Sequence, residues 1–236
     1  DSAAHSTAPL LFMTGPYQGS KVGSSGRAVV VTRSPLTECY IDTYIGGNIG
    51  HDLRKAGWDG VFITGSSERW MRLEIDDQRA QLHPADELVG KTTWQTEQAL
   101  ADLGECLSIG PAGENGVRIA SPLTAGRRAA GRGGTGASFG FKRLKAMTVK
   151  ASNASTAQLR YAEEFSMAEA IKEQRKEMGL RRKSGDPFYA FGTSRGPLYA
   201  ASNGRMPTAN YASTDAKMPD LSALKVGGGA GGQTSA

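Results

Sequence analysis

Apolar and polar positions change rhythm repeatedly over the first 150 residues. PLLFMTG (9–15) is a short apolar run, and the polar loop PYQGSKVGSSG follows it. RAVVVTR (27–33) is Val-rich and predicts a strand; beyond the turn SPLT, ECYIDTY (38–44) alternates and predicts another. IGGNIGHDLRKAGWDG reads as a glycine-rich lead-in to a short helix, with Gly57 past its end. GVFITG predicts a buried strand, and WMRLEIDDQRAQLH (70–83) a hairpin turning at Asp76–Asp77. In KTTWQTEQALADLG, Thr92 is placed as N-cap with Gln95 three residues on, and Gly104 as the stop. Trp94, Leu100 and Leu103 are expected to form that helix's buried face, and Trp58, Trp70 and Trp94 to be core residues. ECLSIG predicts a strand, PAGENG a turn, VRIAS a strand and LKAMTVKAS a last strand. Short strands, hairpins and a few helices together predict an α+β fold.

The rhythm alters after residue 150. ASNASTAQL reads as a linker. Ser166 is expected to cap MAEAIKEQRKEM, with Gly179 at its end and Met167, Ala170, Ile171, Gln174 and Met178 along one face. AFGTSRGPLYAASNGRMPTANY and the tail VGGGAGGQTSA carry few apolar residues in regular patterns. Residues 1–150 are therefore read as one domain. Residues 151–236 are read as a linker and the beginning of a mainly helical domain, completed elsewhere or by another chain.

Composition narrows the picture. With 39% hydrophobic and 22% charged residues, a real core is expected. No apolar run is long enough to span a membrane, no signal peptide is recognisable, and a start at Asp1 without Met suggests a processed or truncated terminus. Cys39 and Cys106 are the two cysteines, far apart in sequence, and the three histidines are scattered. That pattern offers neither a disulfide framework nor a zinc or iron–sulfur motif. It fits a reducing compartment, with both thiols expected to be buried in strands.

Charge matters locally more than in total. The formal charge is +5, but Arg118 to Lys150 holds eight basic residues and no acid. Within that run lies GRRAAGRGGTGA (126–137). GRGGTG fits a dinucleotide fingerprint, yet no apolar strand precedes it and no acid follows until Glu163. An RGG-type nucleic-acid segment would be repeated and accompanied by aromatics. Two further readings stay open. One is a tight crossover whose arginines reach solvent. The other is a binding loop for a phosphorylated, multi-ringed cofactor, with backbone bared by Gly and Ala and phosphate held by Arg. SSGR (24–27), YIGGNIG (44–50) and IGPAGENG (109–116) would join it in one anion-binding surface. His51 reads first as a helix-surface residue, Glu114 and Asn115 as turn-formers.

These blocks carry a resemblance. TGPYQG, SGRAVVVTRSPLT, GGNIGHDLRKAGWDGVFITG, GKTTWQTEQAL, SIGPAGENGVRIAS and GRRAAGRGGTGASFGFKRLKAMTVK resemble, in order and spacing, the N-terminal domain of the tungsten-containing aldehyde ferredoxin oxidoreductases. The match covers about residues 8–150. AFGTSRGPLYAASNGRMPTANY is similar to the family's YGT…NGxxPxxN stretch in its second, helical domain. The resemblance implies a duplicated, mixed-sheet α+β base domain, here without its first strands. A tungsten (or molybdenum) bis-pterin cofactor would sit on it, with the pterin phosphates bridged by magnesium.

Carried over position by position, Arg27, Gly46 and Arg128 correspond to pterin or phosphate contacts. Tyr44 and Ala129 correspond to backbone carbonyls that reach magnesium, and Tyr44 stands where the family usually has Asn. Gly47, Gly131 and Gly133 are placed beside them as cofactor-binding glycines. The family's 4Fe-4S cysteines, a CxxCxxxC group and a later Cys, have no counterpart in this sequence, and neither do its catalytic carboxylate and His. The implied whole-enzyme reaction converts an aldehyde and water to a carboxylic acid, with ferredoxin as acceptor. This chain would supply the cofactor base and a second chain the remaining domains. No catalytic residue, nucleic-acid partner or membrane partner is expected, and the implied location is cytoplasmic. The alternative is a non-catalytic pterin platform or assembly subunit, or a degenerate fragment, paired with a cluster-bearing chain.

Overall fold

In the computed structural model, residues 6–152, 163–185, 196, 200, 203–209 and 212–214 are described. The chain divides into two compact units, Asp1–Glu164 and Phe165–Ala236. The first unit holds two sheets. Strands β1 (Leu10–Met13), β2 (Ala28–Arg33), β3 (Tyr40–Ile45) and β4 (Gly60–Ile63) form an antiparallel sheet in the order β3-β2-β1-β4. Its buried row includes Leu10, Phe12, Ala28, Val30 and Ile45, as alternation along the strands requires.

The second sheet is mixed. It runs β6-β5-β10-β7-β8-β9, from β5 (Met71–Asp76), β6 (Ala80–Pro84), β7 (Glu105–Ser108), β8 (Leu123–Thr124), β9 (Arg128–Ala129) and β10 (Leu144–Lys150). Only β5 and β10 pair in parallel. β10 is buried from Leu144 through Val149, as a central strand covered on both faces must be. A register irregularity between Leu144 and Ala146 places Lys145 in a bulge. Helix α1 (Ile49–Lys55) touches β2, β7 and β10 and buries Ile49 and Leu53. Residues of both sheets and α1 merge into one core. A smaller cluster joins Ala85, Leu88, Leu100, Cys106 and Ala146.

Helix α2 (Thr93–Ala99) starts as expected, with reciprocal hydrogen bonds between Thr92 and Gln95, and Gly104 follows its short 3-10 extension at φ +92°. Its expected apolar face needs correction: Trp94 is 58% exposed. PAGENG is not a simple turn but contains a one-turn helix, α3 (Pro111–Glu114). VRIAS forms no strand, because Val117 and Ile119 have no sheet to join and stay exposed. Helix α4 (Thr135–Phe141) was not legible in the sequence. Its glycines explain both its presence and its disguise. A Cβ at Gly136 would lie 2.8 Å from the Ala120–Ser121 backbone, so the helix packs main chain against main chain. Close packing overrides a low intrinsic propensity.

In the second unit, α5 (Glu164–Lys183) begins before Ser166 and runs past Gly179, so neither bounds it. Met167, Ile171 and Gln174 are part-buried; Ala170 and Met178 are exposed. The helix end Arg181-Arg182-Lys183 is exposed, as expected. Most of the expected linker 151–159, much of the stretch 190–211 and the glycine-rich tail 226–236 lie outside the described residues. No helix among the described residues is long and apolar enough to cross a membrane.

Candidate functional site

The two glycine-rich segments meet where the sheets adjoin, β3 against β9. Ala28 pairs with Ile45 at the open end of the β2–β3 hairpin. Arg27 and Gly46 directly follow that last pair, at the same end of the hairpin. On the other side, Thr124 pairs with Arg128 and Leu123 with Ala129. The turn between them uses two left-handed residues, Ala125 (φ +48°) and Gly126 (φ +66°).

Arg128 is the link. Its side chain lies across the Gly46–Gly47 corner. A Cβ on Gly46 would be 3.3 Å from its Nη1, and one on Gly47 (φ +95°) 3.5 Å from its Cδ. Both glycines thus make room for a guanidinium as well as bare their own backbone. Gly133 (φ +90°) faces Ile41 of β3, where a Cβ would come within 2.3 Å of Cγ1. Gly131 has open space around it, and its carbonyl accepts from the Ser121 hydroxyl at 3.1 Å. Ala129 is exposed on β9, at the rim of the mixed sheet.

Tyr44 sits on β3, the rim strand of the antiparallel sheet. Rim strands leave alternate carbonyls free of ladder partners. Its ring is exposed, and a hydrogen bond to the Asp42 carboxylate, reinforced by that carboxylate's charge, pushes its phenol above the ordinary tyrosine range. Arg27 and Arg128 are exposed, and neither pairs with a carboxylate among the described residues. The structure therefore gathers Arg27, Tyr44, Gly46, Gly47, Arg128 and Ala129 about one corner, while Gly133 is tied to the underside of β3.

The basic run is less uniform than its letters suggest. Lys142 is buried and donates to the carbonyls of Ser6 (2.8 Å) and Gly65 (3.0 Å). Lys145 is buried, donates to the carbonyls of Lys91 (2.8 Å) and Ile109 (2.7 Å), and pairs with Glu114. Glu114 is thus no mere turn-former. The exposed positive charge of the run comes from Arg118, Arg127, Arg128, Arg132, Arg143 and Lys150, and Arg27 is exposed as well.

His51 is tied down, its Nδ1 accepting from the Gly19 N–H at 3.1 Å, and His83 lies 3.7 Å from Glu74. His5 lies outside the described residues. Among the described residues no three His, Cys, Asp or Glu side chains could hold a metal ion. A hydrogen-bonded feature that sequence reading passed over is the support of the arginine turn. The Gly126 N–H donates to Glu97 Oε2 at 2.8 Å, and the Trp94 ring lies 3.1 Å from where a Gly126 Cβ would be. Helical spacing puts Trp94 and Glu97 on one face of α2, which is the one available clue.

One of the two thiols departs from expectation. Cys106 is buried, but Cys39 is exposed in the bend before β3. Burial, and then the charge of Glu97, push the Cys106 thiol up to about 12. At pH 8 a thiol reagent such as DTNB should titrate one cysteine in the native protein and two in denaturant. An unfolded thiol ionises near 9, whereas the folded one stays neutral to about 12. Stability from this group is complete below about pH 9 and is lost as the pH rises towards 12. Urea midpoints of Cys106→Ala should therefore fall less steeply with pH over that interval than those of the wild type. Equal slopes would contradict the burial.

A pair of unpaired guanidiniums beside glycine-bared backbone suits a phosphate or diphosphate: charge is supplied, and the main chain can be approached closely. Residues 2–151 match the family described as "Aldehyde ferredoxin oxidoreductase, N-terminal domain". The chain is 35% identical over 207 residues to the tungsten-containing aldehyde ferredoxin oxidoreductase of Pyrococcus abyssi, covering 86% of this chain and 33% of that protein. Identity to the tungsten-containing aldehyde ferredoxin oxidoreductase of Pyrococcus furiosus is 38% over 148 residues, 61% of this chain and 24% of the relative. The aliphatic sulfonate oxidoreductase, WOR-like subunit, of Pyrococcus furiosus is 31% identical over 160 residues, 61% of this chain and 25% of the relative. Among solved structures, the active site complex BamBC of benzoyl coenzyme A reductase, in complex with 1,5-dienoyl-CoA, is similar at a TM-score of 0.58 and 32% identity. That likeness covers 61% of this chain and 22% of the other. The chain spans about a third of the length of the first of these relatives.

Proposed function

Because the chain belongs to the aldehyde ferredoxin oxidoreductase family, through that family's N-terminal domain, we propose that it supplies the base on which a tungsten or molybdenum bis-pterin cofactor rests. The observation that carries this reading is Arg128 lying across Gly46–Gly47, in a corner built from two distant segments. Arg27 and Arg128 would hold pterin phosphates by charge-assisted hydrogen bonds. Tyr44 and Ala129 would offer backbone carbonyls to magnesium, a role that leaves the Tyr44 side chain free to differ from the family's usual Asn. Gly47 and Gly133 set the backbone, and Gly131 leaves space beside it. When bound, the metal–pterin group supplies two-electron oxygen-transfer chemistry; this chain's part is to orient it by its phosphates and keep it from leaving. The duplicated-base description is part of the same proposal.

In the whole enzyme the reaction is aldehyde oxidation to a carboxylic acid, with ferredoxin as acceptor through a 4Fe-4S cluster whose ligands are not among these residues. A second chain carrying the further domains is part of the proposal, in a cytoplasmic setting. Relatives named as a subunit and as a two-letter active site complex support assembly from more than one chain.

The test is cofactor retention. The whole protein, produced with tungstate or molybdate, should carry metal and pterin in stoichiometric amounts. Arg128→Ala should weaken retention about 10- to 150-fold, the equivalent of roughly 1.5–3 kcal/mol for a charge-assisted contact. Arg143→Ala, in the corner between α4 and β10, should change it by less than about fivefold. Equal losses would point to a diffuse field rather than a phosphate contact. Wild-type protein that carries neither metal nor pterin would sink the proposal.

A further inference from the structure

We propose that Glu97 and Trp94 of α2 are positioning residues for Arg128, holding the β8–β9 turn so that the guanidinium stays over the Gly46–Gly47 corner. The inference rests on the reading of Arg128 as a phosphate partner and extends it to residues that touch no ligand. β8–β9 adds only two residues per strand to the edge of the mixed sheet, so its ladder alone holds the turn weakly. Its turn also places a non-glycine residue, Ala125, in the left-handed region. Something outside the hairpin must hold it.

On the α2 side the structure supplies such a hold. The Glu97 carboxylate accepts the Gly126 N–H at 2.8 Å, and the Trp94 ring covers the same residue, 3.1–3.3 Å from where a Cβ would stand. Trp94 is otherwise an anomaly, a large ring more than half exposed on a short helix. Resting on Gly126 gives it a task. The N-terminal end of α2 is itself fixed twice: by the reciprocal Thr92–Gln95 bonds, and by the Lys145 ammonium donating to the Lys91 carbonyl. A continuous line of contacts thus runs from the bulge in β10, through α2, to the turn two residues before Arg128.

Charge separates the two things Glu97 could do. Its carboxylate disfavours an anion bound nearby, so any benefit it brings to the arginine turn comes through the hydrogen bond. Glu97→Gln keeps an acceptor for the Gly126 N–H and removes the charge. Glu97→Ala removes both.

The experiment uses the whole protein produced without tungstate or molybdate. Inorganic pyrophosphate is titrated calorimetrically, and amide exchange is followed across residues 123–130. Glu97→Ala should lose protection at Gly126 and bind pyrophosphate about tenfold more weakly, as expected for one lost bond to a charged acceptor. Glu97→Gln should keep protection and bind at least as tightly as wild type. Trp94→Leu, which preserves the helix, should reproduce the Glu97→Ala pattern and serves if that variant fails to fold. If Arg128→Ala weakens binding while Glu97→Ala and Trp94→Leu do not, the positioning role is wrong and the phosphate reading stands. If Arg128→Ala also leaves binding unchanged, both fall.

Discussion

Gly140→Ala should be severely destabilised. A Cβ at that position would sit 1.9 Å from the Gly113 carbonyl oxygen and 2.9 Å from its carbon. Neither atom belongs to a side chain that could swing aside. Shifting α3 away is no remedy, because a Cβ at Gly113 would itself be 2.8 Å from Ile109 and 2.9 Å from the Gly136 oxygen, so the two helices are in contact along their backbones. A displacement large enough to admit one methyl group uncovers Ala137 and Phe139, both buried in α4. The cost should exceed about 4 kcal/mol, against a total of roughly 5–15 kcal/mol for a typical domain. Soluble yield and the urea midpoint report it. Gly131→Ala is the contrasting case, with open space and a backbone outside the left-handed region. It should stay within about 1 kcal/mol of wild type, on the stabilising side. A Gly140→Ala protein with an unchanged midpoint would contradict the α3–α4 packing.

Lys145→Met should cost about 3–5 kcal/mol. The ammonium is wholly buried; burial pulls its pKa below the ordinary lysine range, and Glu114 works against that pull. Removing it leaves the carboxylate of Glu114 uncompensated and the carbonyls of Lys91 and Ile109 without their donor. The carboxylate keeps one role, since both its oxygens accept from the Gly90 N–H at 3.0–3.1 Å. The double variant Lys145→Met with Glu114→Gln should recover part of the loss, because no charge is then stranded. Urea unfolding of the two single variants and the double variant measures the coupling. Additive losses would show that the pair does not act as a unit. Pyrophosphate binding by the double variant adds a second readout, since α2 loses the anchor at Lys91.

Where local chemistry decided local structure, the sequence was easy to read. Alternating β-branched residues marked β2. Asp76 at the hairpin tip announced the turn that its carboxylate makes by accepting from the Gln78 and Arg79 amides. Thr92 and Gln95 announced the start of α2. The corner itself was legible through the resemblance, residue by residue, and through Gly and Arg occurring together. What stayed hidden depended on the third dimension. Lys142 and Lys145 look like members of a solvated basic run, and only the carbonyls and the carboxylate around them show otherwise. Ile119 looks like a strand residue and is 71% exposed, because no strand runs alongside it. TGASFGF looks like loop, since the close approach that makes its glycines useful involves residues 113 and 120. Trp94 looks like core because tryptophan usually is, and its partner is a glycine far along the chain.

The parallel pairing of β5 with β10 carries a consequence for the order in which the protein can be made. β5 ends at Asp76, while β10 does not begin until Leu144. A ribosome adding roughly 5–20 residues per second needs about 3–14 s to cover that interval. Throughout it, Leu73 and Ile75 lie on a strand whose only sheet neighbour is β6, and the core that joins the two sheets lacks its central strand. The strand that joins the two layers is the last to leave the exit tunnel. A nascent chain paused before Leu144 exposes an apolar strand edge awaiting a parallel partner, and the unpaired edge of another nascent chain can fill it. Slow codons or a holding chaperone over residues 77–143 would therefore decide how much of the product is monomeric, without altering a single contact in the finished fold.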